Sequence, residues 1–189
     1  DVVRSRGLGD VYKRQFAGYY NVTGERNTYI GYESGYGSDG NSQSNNVALG
    51  YQSFGRVTTA SGSVMIGARA GFNVTTGNSN IAIGSGSMGV ATVTGDNNIA
   101  IGTHAGDALT SGLQNVLLGG QAGGAINSGY LNTVIGHEAG KAITTGIANT
   151  ILGWNAGLAL QTGHNNVFIG REAGKGVTTT VQNLSLIHI

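Results

Sequence analysis

Apolar and polar positions along this chain fall into one unit that keeps returning. Residues 119–135 read GGQAGGAINSGYLNTVI, and residues 136–152 read GHEAGKAITTGIANTIL. Residues 153–169 read GWNAGLALQTGHNNVFI, and residues 170–186 read GREAGKGVTTTVQNLSL. Counting from the opening Gly, each unit sets a small residue at position 4, Gly at 5, an aliphatic at 8, a polar pair at 9 and 10, Asn at 14 and a mostly apolar triplet at 15–17. The opening glycines are Gly31, Gly50, Gly67, Gly84, Gly102, Gly119, Gly136, Gly153 and Gly170, spaced by 19, 17, 17, 18, 17, 17, 17 and 17 residues. A short period repeated this often predicts a solenoid or fibre. The triplet, rich in Val, Ile and Leu and bounded by Asn and Gly, predicts one short strand per unit. Gly recurs too often, and helix formers are too scarce, for a helical repeat. The expected fold is all-β: a parallel β-solenoid or β-roll of about nine 17-residue coils over residues 16–183. At a sheet spacing of roughly 4.8 Å, nine coils stack to about 43 Å.

Each column of the repeat predicts a role. Position 4 is always small (Ser34, Ser53, Ala70, Ser87, Ala105, Ala122, Ala139, Ala156, Ala173), as fits a backbone turning close to another backbone. Position 5 is Gly in seven of nine copies, with Phe54 and Met88 as the exceptions. Position 8, with Val57, Val74, Leu109, Ile126, Ile143, Leu160 and Val177, reads as an inward aliphatic ladder. Position 14 holds Asn80, Asn98, Asn115, Asn132, Asn149 and Asn166, and stacked Asn side chains can bond to one another and to turn backbone. Two extra residues in 31–49 are expected in a turn around 37–42, and one in 84–101 near Thr92.

The triplet carries the question of assembly. On a strand its first and third residues face one way and its second the other. Both sets are apolar. One set fills the coil, and the other would leave a long apolar stripe in water. The middle column, ending in Leu117, Val134, Ile151 and Phe168, is the expected contact with sister chains. A homo-oligomer follows, written here as a parallel homotrimer.

Composition narrows the class. There are 35 Gly, no Pro and no Cys, and charged residues make up 10%. Collagen is excluded by the missing three-residue period, and thiolate metal sites and disulfides by the missing Cys. No apolar run approaches 18 residues, so no membrane-spanning helix is expected. The net charge is +1, but four of the 10 basic and two of the 9 acidic residues lie in 1–15. The remainder carries six basic and seven acidic groups, a net −1 with no basic stripe for nucleic acid. Residues 1–15 (DVVRSRGLGDVYKRQ) and 184–189 (LSLIHI) look foreign to the repeat, like translated sequencing adaptor. The repeat is then expected to be an internal slice of a longer protein.

The line Asn132-Thr133-Val134-Ile135-Gly136, followed two residues later by Ala139-Gly140 and repeated from Asn149 to Gly157, resembles repeats in phage and prophage tail-fibre proteins. Asn80-Ile81-Ala82-Ile83-Gly84 and Asn98-Ile99-Ala100-Ile101-Gly102 are similar to the head repeats of trimeric autotransporter adhesins. The likeness covers about 16–183, although the 17-residue period is longer than the autotransporter head repeat. It implies a trimeric parallel β-roll or β-solenoid fibre, on a virion tail or a cell surface, that attaches to a host.

Candidate chemistry is sparse. His104, His137 and His164 occupy different columns and need not converge on a metal. Glu138 and Glu172 share position 3 two coils apart, roughly 10 Å by the sheet spacing. That is the far edge for an inverting glycosidase pair. Position 3 as a whole reads as a solvated face, or as a polar groove for glycan hydroxyls. Asp39, Asp96 and Asp107 are not periodic, which excludes the calcium-binding nonapeptide. Tyr32, Tyr51 and Trp154 share position 2 and could stack on sugar rings. The Thr pairs, such as Thr75-Thr76 and Thr144-Thr145, raise ice binding, but other coils break the array. The sequence therefore predicts a non-enzymatic fibre segment without cofactors. Its partners are further copies of itself and a host-surface glycan or protein receptor, not nucleic acid. The competing expectation is a monomeric β-solenoid binding module for carbohydrate or ice.

Overall fold

A computed structural model describes residues 16–186, so 1–15 and 187–189, with the adaptor-like reading of them, lie outside the described residues. Ten strands of three residues each follow the chain: β1 (Thr28–Ile30), β2 (Val47–Leu49), β3 (Val64–Ile66), β4 (Ile81–Ile83), β5 (Ile99–Ile101), β6 (Val116–Leu118), β7 (Thr133–Ile135), β8 (Thr150–Leu152), β9 (Val167–Ile169) and β10 (Leu184–Leu186). They form one parallel sheet in sequential order. Every strand therefore sits one coil above the last, and the repeat is a β-solenoid. The register is strict: Ala100 pairs with Leu117, Leu117 with Val134, Val134 with Ile151, and Ile151 with Phe168. Residues 184–186 continue it, with Ser185 opposite Phe168. Among the described residues there is no helix.

Left-handed backbone bends the rest of each coil. Position 3 is left-handed at Glu33, Gln52, Arg69, His104, Gln121, Glu138, Asn155 and Glu172, with φ between 51° and 59°. Position 13 repeats this at Gln114, Leu131, Ala148 and Asn165, with φ from 55° to 60°. Such conformations cost non-glycine residues roughly 1–2 kcal/mol each, and the coil-to-coil hydrogen bonds must hold them. The opening glycine is dictated by stacking. Gly119 has φ +130°, and a Cβ there would stand 2.5 Å from the carbonyl oxygen of Gly136 one coil on.

The core is a column inside the coil. Positions 4, 8 and 16 meet there, and Ala122, Ile126, Leu117, Val134, Ile143, Ile151, Leu160 and Phe168 are all fully buried. Val93 joins the aliphatic column and is bridged to Val74. Position 16 and the following position 5 share one space. Where position 16 is large, position 5 is Gly, as in Met65/Gly71 and Phe168/Gly174, whose missing Cβ makes room for those side chains. Where position 5 is Phe54 or Met88, position 16 is Ala48 or Ala82, and all four are buried.

This corrects the expected interface. Leu117, Val134, Ile151 and Phe168 are 0% exposed in the single chain. They fill its own interior, because the polypeptide closes on the middle residue of each strand. The strand flanks point outward instead. Leu152 is 43% and Ile101 38% exposed, beside buried Ile151 and Ala100.

Candidate functional site

The asparagine column is a continuous amide ladder. Oδ1 of Asn115 accepts the backbone N–H of Asn132 (3.1 Å) and its Nδ2 (3.0 Å). The second Nδ2 proton of Asn132 goes to the carbonyl of Gly146 (2.8 Å). The same set recurs at Asn98, Asn149 and Asn166. Asn80 starts the amide-to-amide run, itself held through Ser63 Oγ and the Gly95 carbonyl. Each buried amide is thereby satisfied by the coil before and the coil after, which is what a buried polar group requires. The ladder is structural and ties the triplet strand to the Gly turn.

The position-9 threonines are also used internally. Thr58, Thr110 and Thr144 donate their hydroxyls to the carbonyls of Thr75 (3.0 Å), Asn127 (2.9 Å) and Gln161 (3.3 Å) in the next coil. Polar groups committed to neighbouring backbone make a poor template for ordered water.

The three predicted aromatics do not form one site. Tyr32 and Tyr51 stack at 5.7 Å with 10° between their planes. Trp154 lies six coils away, about 29 Å by the sheet spacing. One face of its indole is covered by Arg171, 4.8 Å from the ring. Around Tyr32 a wider aromatic group forms, with Phe16, Tyr19, Tyr20 and Tyr36 in edge and stacked contacts.

The titratable groups stay apart. His164 accepts the Ile147 N–H at Nδ1 (3.1 Å), and His104 sits 3.4 Å from Asp107. Among the described residues no three His, Cys, Asp or Glu could share a metal. Glu138 bonds Lys141 at 2.7 Å and Glu172 bonds Lys175 at 2.9 Å. Those ammonium contacts hold both carboxyls below their usual range. A glycosidase pair needs one of its two carboxyls raised and protonated, and neither of these is.

A groove crosses the first coils, lined in part by Glu33 and Gln52 of the position-3 column and in part by residues that the columns did not single out. It encloses about 520 Å³ between Tyr36, Gly37 and Ser38 at one end and Thr92 at the other. Phe72 stands in its wall, with the guanidiniums of Arg56 and Arg69 5.2 and 5.1 Å from the ring centre. Arg69 Nε donates to Gln52 Oε1 (3.0 Å), and Gln52 Nε2 donates to Glu33 Oε2 (2.7 Å). Asn73, also in the wall, gives its Nδ2 protons to Gly89 and Val90, and its buried Oδ1 has no partner. The sequence signal for this groove was present. The two units that break the period, 31–49 and 84–101, bracket it.

No protein-family model, no curated protein and no solved structure matches the chain.

Proposed function

We propose that residues 16–183 are a segment of an attachment fibre, on a virion tail or a cell surface, without catalytic activity of its own. The observation that carries this reading is the outer face of the sheet. Position 17 is Ile or Leu in all ten strands, from Ile30 and Leu49 to Ile169 and Leu186. Position 15 adds Val47, Val64, Ile81, Ile99, Val116, Val167 and Leu184 beside it. The result is one unbroken apolar column at position 17, and beside it a second interrupted by Thr28, Thr133 and Thr150, on a rod whose own core is already full. Such a stripe exceeds what a soluble monomer normally leaves in water. Further copies of the same chain, aligned in parallel around a common axis, cover it coil against coil. Three copies are the number that the tail-fibre and adhesin resemblance implies. The rod supplies stiffness, and repetition of a weak site around the axis supplies avidity.

Light scattering of the chain tests this directly. A mass about three times 19.2 kDa is expected, and a monodisperse monomer at micromolar concentration would overturn the assembly. A second reading, a monomeric carbohydrate-binding solenoid, draws on the exposed Tyr32–Tyr51 stack. A monomer that binds glycans would favour it. Ice binding loses support from the position-9 hydroxyls bonded to neighbouring carbonyls.

A further inference from the structure

We propose that the groove over the first coils binds an anionic saccharide, one bearing a carboxylate or a sulfate. Three observations lead there. First, the groove is where the repeat departs from itself. Its ends are formed by the two inserted loops, and two of the side chains between them, Arg56 and Phe72, have no counterparts in the later units. At position 6 Phe72 stands where later units carry Gly89, Asp107, Gly124, Lys141, Leu158 and Lys175, and at position 7 Arg56 stands where Ala125, Ala142 and Ala159 stand.

Second, the two guanidiniums share one platform and keep most of their donors free. Both rest against the Phe72 ring, a contact that fixes a long side chain without consuming its donors. Among the described residues no carboxylate pairs with either, and only Nε of Arg69 is used, towards Gln52. Arg56 lines the groove and Arg69 shares its Phe72 platform, and an arginine fork there suits an oxyanion, since guanidinium matches carboxylate and sulfate geometry.

Third, the groove also carries acceptors. Glu33 supplies a carboxylate with one oxygen already anchored by Gln52, and Asn73 supplies a buried Oδ1 with no donor. An unmet buried acceptor is costly, and a ligand hydroxyl would satisfy it. A ligand that brings both an oxyanion and hydroxyl donors is an acidic sugar. The choice of a saccharide rests on the attachment reading, which it deepens. The choice of an anionic one rests on the groove alone.

The test is calorimetric titration of the full chain with oligogalacturonate, a heparin-derived oligosaccharide and a neutral dextran oligosaccharide, alongside a single-stranded oligonucleotide. One or both of the acidic sugars should bind, weakening as salt is raised, and the dextran and the oligonucleotide should not. Oligogalacturonate ahead of the heparin fragment identifies a carboxylate ligand, and the reverse a sulfate. Arg56→Gln, an exposed change that leaves the core untouched, should weaken binding at least about tenfold with an unchanged melting temperature. Phe72→Leu keeps both charges but removes their platform, and should weaken binding by a similar factor. Lys175→Gln, which removes an exposed charge far from the groove, should change nothing. Equal binding of dextran or of the oligonucleotide, full affinity in Arg56→Gln, or no binding of either acidic sugar at millimolar concentration would overturn the proposal. Mass measured on the same samples separates the outcomes. A trimer that binds no acidic sugar leaves the fibre standing without this site, and a monomer that binds one leaves the site without the fibre.

Discussion

Asn132 shows how one side chain can do what a whole turn usually does. Its Oδ1 takes the N–H and Nδ2 of Asn149 (3.1 and 2.9 Å), while its own Nδ2 reaches Asn115 and Gly146. Removing it strands a backbone N–H, an amide proton and a carbonyl in a dry interior. Asn132→Ala should therefore cost about 2–4 kcal/mol in chemical denaturation, the range for several unmet buried groups, with Asn132→Asp also destabilising because it loses the donor. A loss under about 0.5 kcal/mol would mean that water reaches the ladder. Tyr29 is one of four residues, with Gln43, Asn73 and Asn155, whose buried side-chain polar atoms find no partner. Burial pushes its phenol from 10.0 up to about 12, partly opposed by nearby Gln43 and Asn46, and its Oη makes no hydrogen bond. The folded state holds this proton more tightly than the unfolded chain does. Its contribution is thus whole below pH 10 and drains away as pH rises from about 10 to about 12. Tyr29→Phe should remove that portion of the alkaline loss. Identical pH profiles for the two proteins would show that Tyr29 titrates as it does when unfolded.

At the scale of the element, the three-residue strand settles which columns face in. The period, the strand and the asparagine ladder were legible in the sequence because each column repeats one chemical role. The facing of the triplet was not, because Val, Ile and Leu occupy both of its sides and alternation carries no sign when both faces are apolar. The deciding clue was size. Position 16 shrinks to Ala48 and Ala82 where position 5 grows to Phe54 and Met88, a trade only residues sharing one enclosed space would make. Part of the groove was hidden for a different reason. Arg56 and Phe72 are departures from the repeat, and a reading by columns treats departures as noise. The facing has a direct consequence. Phe168→Asp buries a charge in a full core and should unfold the C-terminal coils, seen as lost β-sheet circular dichroism. Leu152→Asp, on a flank that is 43% exposed, should keep the circular dichroism of the parent and instead reduce the mass in solution. If Leu152→Asp unfolds the chain while Phe168→Asp only dissociates it, the inward and outward assignments are reversed.

At the scale of the whole molecule, only consecutive strands touch one another. Stability is then close to a sum of coil terms and nearest-neighbour interfaces, as in other repeat proteins. The consequence is positional. The same substitution should act differently at the middle and near the end of the rod, although its local contacts are the same. Asn115 and Asn166 make matching bonds to the preceding asparagine and to a turn carbonyl in the next coil. Asn166→Ala should release little beyond β9 and β10, because the coils before them keep their own interfaces. Asn115→Ala severs the ladder between two long halves, so amides on both sides of β6 should lose protection together. Native-state hydrogen exchange reads this residue by residue. In the parent, protection should be greatest in the strictly periodic coils from 102 to 153 and fall toward both ends. A uniform loss of protection along the whole rod in Asn166→Ala would mean that the coils unfold as one cooperative block. The cooperativity would then come from the shared apolar stripe of an assembly, which couples all ten strands at once, rather than from the stacking of one chain upon itself.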